Sequence, residues 1–279
     1  QMNLYKKDFR MFLQHKIPRL LEHSLELPNL DDLNMWTPPG HGNIYLCMQE
    51  QGILQQLLAD DKEFLFISNA DNLGATIEPQ IITYMEEHEL DFLMEVTPKT
   101  AADVKGGALV KRNGRYDLLE RAQVHQNDLE HFEDISTFSY FNTNNIWVHV
   151  QSLIDCIESD LLQLDLILNK KSSTDSSWVQ LEYAMGSAIQ SFSNAQVMVV
   201  PRSRFFPIKK VSDYLLLLSD FTFFDDSSQL IWDILKRPDI RCLPPFDRID
   251  TFDKYFSVIP SLKNIDSLEI GGELFFDAH

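Results

Sequence analysis

Apolar and polar positions along the chain fall into short runs of contrasting period. Residues 63–68 (EFLFIS) and 91–97 (DFLMEVT) are nearly continuous apolar runs, which predict buried strands. Between them Ile77, Ile81, Ile82 and Met85 recur at helical spacing and predict a helix over 77–89. Residues 108–112 and 116–120 flank Asn113 and Gly114, a pair that suits a tight hairpin because both residues accept positive φ. A helix is predicted over 178–192 and a further strand over 196–200. Strand, helix and strand with one hairpin insert argue for an α/β fold, a sheet with helices on both faces. In such sheets ligands bind beyond the carboxyl ends of the strands. Two polar segments fall there: 69–75 follows the first strand and 98–107 the second. Residues 170–177 (KKSSTDSS) read as a polar loop, and from Pro244 the pattern becomes less regular.

Charge narrows the choice of partner. The 279 residues carry 42 acidic against 24 basic side chains, a net charge of −18. Such a chain repels a phosphate backbone, so binding nucleic acid through a broad basic face is excluded. Small anions remain admissible, because a few lysines and backbone N–H groups make a local positive pocket. Cys47, Cys156 and Cys242 lie far apart with no C-x-x-C pair, so no cysteine zinc site is expected, and a reducing cytoplasm suits them better than a disulfide scaffold. No apolar run reaches the length of a membrane span, and no signal peptide is expected before the first pattern.

Six segments carry candidate chemistry. In WTPPGHGN (36–43) two prolines stiffen a loop whose Gly40, His41 and Gly42 open backbone N–H groups toward a base or phosphate; a structural turn with a surface histidine is the plainer alternative. In SNADNLGA (68–75) Asp71 stands just past a strand, a common place for a Mg²⁺ ligand, although capping of the next helix by Asp71 or Asn72 fits as well. In EVTPKTAADVKGG (95–107) Lys99 and Lys105 suit phosphate or sugar hydroxyls, with solvated lysines as the usual alternative, and Gly106 and Gly107 permit close approach. Glu120 ends a hairpin strand, where its carboxylate suits sugar hydroxyls or solvent. Asn142, Asn144 and Asn145 lie between aromatics, and buried amides need partners that a polyhydroxylated ligand supplies. The run VPRSRFFPIK (200–209) is the densest positive stretch after a strand, suited to neutralising phosphates. Together they point to phosphoryl or nucleotidyl transfer onto a sugar.

In this order the motifs W-x-P-P-G-H-G, S-N-A-D-N-L-G-A, E-V-T-x-K-T-x-A-D-x-K-G-G, L-L-E-x-A-Q-V, F-N-T-N-N-x-W and V-P-R-S-R-F-x-P-x-K closely resemble the eukaryotic-type UTP–glucose-1-phosphate uridylyltransferase (UDP-glucose pyrophosphorylase) family, over roughly residues 14–220. The resemblance implies a Rossmann-like nucleotidyltransferase core with a mixed central sheet over residues 1–243. Residues 244–279 would then be a linker and the stub of a C-terminal β-helix. It implies Mg²⁺-assisted transfer of UMP from UTP to glucose 1-phosphate, giving UDP-glucose and pyrophosphate, in the cytoplasm. Carried over by motif, Gln14 and Gly40 resemble uracil contacts, and His41 a contact to nucleotide phosphates or ribose. Asp71 resembles the Mg²⁺ ligand, with Asn69 near the sugar. Gly106, Glu120, Asn142 and Asn144 resemble glucose contacts, and Lys209 the cation that bridges the phosphates.

The sequence departs from the family pattern in three places. No Gly-Gly precedes Gly106, so the glycine-rich nucleotide loop L-x-G-G-x-G-T-x-x-G is absent; the β-helix-like segment at 260–276 then stops; and Asn43 replaces the usual aspartate. The chain is therefore expected to be the middle of a longer enzyme. A non-catalytic module that binds a UDP-sugar or a protein partner, or the same chemistry on another sugar 1-phosphate, are the alternatives. Retention of Asp71, Lys209, Asn142 and Asn144 speaks against a decayed site.

Overall fold

A computed structural model of the chain describes residues 10–100, 103–104, 106–172, 177–226, 229–232 and 237–276. Contacts gather into two units, one of residues up to Ile67 with Pro79–Val199, the other of Ser68–Glu78 with the residues from Val200 on. The first unit runs β1 (Ile17–Pro18), β2 (Leu20–Leu21), β3 (Trp36–Thr37), α1 (Ile44–Glu50), α2 (Ile53–Ala59), β4 (Phe64–Ile67), α3 (Pro79–Glu87), β5 (Phe92–Pro98), β6 (Ala108–Arg112), β7 (Arg115–Leu119), α4 (Leu129–Phe132), β8 (Tyr140–His149), α5 (Val150–Glu158), β9 (Leu166–Ser172), β10 (Ser177–Tyr183) and β11 (Ala195–Val199).

A six-stranded mixed sheet organises this unit around β8. β8 pairs antiparallel with β5, with β4 through Phe64↔His149 to Ile67↔Ile146, and with β6 at Ala108↔Phe141. β11 extends the sheet parallel to β5. Successive side chains of a strand point to opposite faces. Phe92, Met94, Val96, Ile146 and Val148 join Tyr45, Leu54, Leu153 and Ile154 from α1, α2 and α5 in one cluster. Leu93 and Trp147 join Ile81 and Met85 of α3 in another. Helices therefore cover both faces, as the alternating pattern predicts, and burying each such side chain contributes about 1.5–3 kcal/mol. Asn113 (φ 52°) and Gly114 (φ 83°) make the predicted hairpin turn between β6 and β7.

Two expectations are corrected here. The helix predicted over 178–192 is absent: 177–183 is strand β10, antiparallel to β9, and 185–191 is 3-10 helix. The deciding pattern is the alternation of Val179, Leu181 and Tyr183 with Gln180 and Glu182, a period of two that marks a strand and not a helical face. The polar loop predicted at 170–177 is also shortened. Lys170, Lys171 and Ser172 belong to β9 and Ser177 opens β10, while 173–176 lie outside the described residues.

The second unit contains α6 (Val211–Leu218), β12 (Thr222–Phe224), β13 (Leu230–Trp232), β14 (Asp239–Cys242), α7 (Phe252–Tyr255) and β15 (Ser267–Ile270). Its core gathers Phe206, Leu215, Leu216, Phe246, Phe252, Phe256 and Leu262. β14 and β15 pair in parallel, and Phe256 bridges Phe276 in parallel. One such pair does not establish the β-helix expected at this end.

Candidate functional site

Asp71 and Lys209 lie far apart in sequence, yet the second unit folds them side by side. The amide of Ile208 donates to the Asp71 carbonyl at 2.9 Å, the amide of Leu73 donates to the Phe206 carbonyl at 3.0 Å, and Asn72 bridges Pro207. The clamp is the buried Asn72 side chain. Its Nδ2 donates to the Arg204 carbonyl at 3.1 Å, and its Oδ1 accepts from the amides of Phe206 at 2.8 Å and Gly74 at 3.2 Å. Gly74 is required there, because a Cβ would stand 2.4 Å from the Ser203 carbonyl oxygen.

With the backbone of Asp71 engaged, its carboxylate is left for other work. Oδ1 is buried and has no hydrogen-bond partner among the described residues. A buried lone-pair oxygen without a donor is costly and suits a cation. No group of three or more His, Cys, Asp or Glu side chains able to hold a metal ion occurs among the described residues. One carboxylate oxygen still fits Mg²⁺, which takes few protein ligands and completes its shell with water and phosphate oxygens.

Lys209 is exposed. Its amide and that of Lys210 both donate to Asp213 Oδ2 at 3.0 Å, which fixes the start of α6. Both lysines line a cavity of roughly 950 Å³ together with Tyr214, Arg241 and Cys242. Arg204, in the stretch read as phosphate-neutralising, does structural work instead. It is buried, and donates to Thr76 Oγ1 at 2.9 Å, Glu78 Oε1 at 3.0 Å and the Thr76 carbonyl at 2.9 Å. Arg202 rests on the Phe205 ring.

In the first unit the Gly-His-Gly loop is held against the end of β10. The Tyr183 amide donates to the Pro39 carbonyl at 2.8 Å, and a Cβ on Gly40 would lie 2.6 Å from Tyr183 N and O. Gly40 also has φ +82°, so glycine is needed on two counts. His41 Nδ1 accepts the Met185 amide at 3.0 Å, which fixes a neutral ring with its proton on Nε2. The residue is exposed, yet the protein packed around it lowers its pKa, and Glu182 partly opposes that. Gln14 Nε2 donates to the Gly40 carbonyl, so both residues read as uracil contacts are together. Beside them the Oδ1 of Asn43 accepts the His15 amide and the Cys47 thiol, each at 3.1 Å, and its Nδ2 donates to His15 Nδ1 at 3.1 Å. His15 Nε2 therefore carries the proton and donates to Glu50 at 2.8 Å. This latch was not read from the sequence. Its signal is the departure at Asn43, matched by a histidine next to Gln14.

The amide cluster divides into two tasks. Opposite Glu95 the register slips: Met94 faces Ile146 but Val96 faces Asn142, so β8 bulges over 143–145. Asn144 takes φ +60° at the bulge, a conformation asparagine tolerates. Asn142 and Asn144 bond each other, Nδ2 to Oδ1 at 2.9 Å and amide 144 to Oδ1 of 142 at 2.9 Å. Asn145 belongs to the core instead. It donates to Glu95 Oε2 at 3.0 Å while Trp147 Nε1 donates to Glu95 Oε1 at 2.8 Å, all three fully buried. Nearby, a Cβ on Gly106 would strike the Phe141 ring at 2.0 Å, and one on Gly107 would meet Glu120 Oε1 at 2.6 Å. Close packing explains Gly106, whereas at Gly107 the end of the Glu120 side chain would have to shift. Burial raises the Glu120 pKa and Lys99 counters it. Asn69 is half-buried, and its carbonyl accepts the Asn72 amide in the second unit. Ala101, Ala102 and Lys105 lie outside the described residues.

A family model described as UTP–glucose-1-phosphate uridylyltransferase matches residues 1–279. The chain belongs to that family. It is 38% identical over 276 residues to the UTP–glucose-1-phosphate uridylyltransferase of Solanum tuberosum, covering 96% of this chain and 58% of that relative. It is 38% identical over 275 residues to the Saccharomyces cerevisiae enzyme of the same name, covering 95% and 55%. Among solved structures, a UDP-glucose pyrophosphorylase variant from Leishmania major superposes with a TM-score of 0.81 at 35% identity, covering 94% of this chain and 60% of that one. Another variant of that enzyme, in complex with UDP-glucose, gives 0.79 at 35% identity, covering 91% and 58%. The chain thus spans a little under three fifths of the curated relatives it matches. No helix among the described residues is long and apolar enough to cross a membrane.

Proposed function

We propose that the chain carries the chemistry of UDP-glucose formation. The phosphate oxygen of glucose 1-phosphate attacks the α-phosphorus of UTP in line, a P–O bond to the α-phosphorus forms, the α–β bridge bond breaks, and pyrophosphate leaves. The observation that supports this reading best is the fold of the second unit, which sets the unpartnered Asp71 oxygen next to the segment bearing Lys209. No covalent intermediate is needed, so catalysis is positioning plus charge stabilisation.

Each residue then has a role. Asp71 holds Mg²⁺, which when bound supplies charge neutralisation on the phosphates. Lys209 sets its ammonium between the reacting phosphates, with Asn69 near the sugar. Gln14 and Gly40 hold the uracil edge, and neutral His41 offers its Nε2–H to the ribose or a phosphate. Gly106, Glu120, Asn142 and Asn144 bind glucose hydroxyls. UTP, glucose 1-phosphate and UDP-glucose are the partners, and the three unpaired cysteines suit a cytoplasmic setting. The test is pyrophosphate release from UTP and glucose 1-phosphate with Mg²⁺. Lys209→Ala and Asp71→Asn are expected to lower turnover by at least about a hundredfold without lowering the urea midpoint. Full activity in Lys209→Ala would remove its role.

A further inference from the structure

Lys99 is a cation that the fold alone does not account for. It follows the last residue of β5, and its amide donates to the Ser139 carbonyl at 2.8 Å. The side chain runs inward until Nζ stands 4.9 Å over the Phe132 ring, leaving the residue only 8% exposed. The buried ammonium has no hydrogen-bond partner among the described residues. A ring face offers attraction but no acceptor for three N–H groups, and a buried ammonium without one is costly.

Asp103, Glu120 and Glu133 surround it electrostatically. Asp103 Oδ2 already accepts the Thr100 amide at 2.9 Å and hydroxyl at 2.6 Å, and Glu133 Oε1 accepts Arg121 Nε at 2.7 Å. Glu120 is the third, set against Gly107 at the end of β7 and attracting Lys99 without a hydrogen bond to it. An ammonium that only donates and a carboxylate that only accepts, both near and unbonded to each other, suit one kind of group. A hydroxyl accepts from the first and donates to the second at the same time. Burial lowers the Lys99 pKa and raises that of Glu120, and the attraction between the two charges partly opposes both shifts.

We propose that Lys99 is a sugar-binding residue, its ammonium donating to a hexose hydroxyl that in turn donates to Glu120. The proposal rests on the reading of Glu120 as a glucose contact and adds the donor that reading lacks. The fold itself is better served by an apolar side chain of similar length.

Two readouts on this chain test it: the urea midpoint, and calorimetric affinity for UDP-glucose and for UDP, with Mg²⁺. Lys99→Met is expected to raise the midpoint and to weaken UDP-glucose at least about tenfold, the worth of a hydrogen bond to a charged group, with UDP affinity unchanged. Glu120→Gln is expected to weaken UDP-glucose selectively as well. A lower midpoint in Lys99→Met shows that Lys99 serves the fold and overturns the proposal. So does an unchanged UDP-glucose affinity, or a parallel loss of UDP. If the unaltered chain binds neither ligand, the functional reading falls and takes this inference with it.

Discussion

Replacing Asn72 by alanine should unfasten the proposed metal ligand from the segment that carries Lys209. Asn72 is 5% exposed and joins both sides of the clamp. Its loss strips the Arg204 carbonyl and the Phe206 and Gly74 amides of partners now at 3.1, 2.8 and 3.2 Å. At about 1 kcal/mol for each net hydrogen bond, the cost is about 3 kcal/mol, and more where the stranded groups stay dry. Asn72→Asp retains the two acceptor bonds but turns a carboxylate oxygen toward the Arg204 carbonyl, and should cost about 1–3 kcal/mol. Urea unfolding followed by circular dichroism reads both values. Turnover should fall in Asn72→Ala although Asp71 and Lys209 are intact. A cost below about 1 kcal/mol with full turnover would show that this side chain is not the clamp.

Three further outcomes follow from the first unit. Gly40→Ala should cost at least about 1–3 kcal/mol in urea unfolding, since the new Cβ meets Tyr183 backbone at 2.6 Å and φ is +82°; a neutral effect would contradict that packing. Glu95→Ala removes the acceptor of the buried Asn145 amide and Trp147 indole, so a loss of about 3–5 kcal/mol is expected by the same method. His41 has a lowered folded pKa, so its contribution is present above the ordinary imidazole value of about 6.5 and is lost as pH falls through the folded value. The urea midpoint of His41→Ala should therefore fall less steeply with acidification than that of the unaltered chain; equal slopes would refute the assignment.

Strands β4, β5 and β11 and the β6–β7 hairpin are legible in the sequence because apolar runs and the Asn113–Gly114 pair signal them locally. The centre of the sheet was hidden, because β8 carries three amides in its first six residues and its bulge breaks the alternation that marks a strand. β10 differs from the expected helix because the 3-10 segment at 185–191 follows it closely and extends its apolar pattern without an α-helix. Asp71 and Lys209 stand out by residue type and motif, but the clamp between them does not. Asn72 looks like a cap in sequence, and the partners of its clamp are Gly74, Arg204 and Phe206. In the same way Arg204 resembles a phosphate ligand until its contacts with Thr76 and Glu78 show that it braces a loop. Chemistry is written in residue types; which residue supports and which one reacts depends on contacts made at long range.

The most direct measurement is calorimetric titration of the chain with UDP-glucose in the presence of Mg²⁺, with UDP-N-acetylglucosamine as the control. The account predicts binding that prefers UDP-glucose. Failure to bind either sugar nucleotide would contradict the claim that these residues form a usable site.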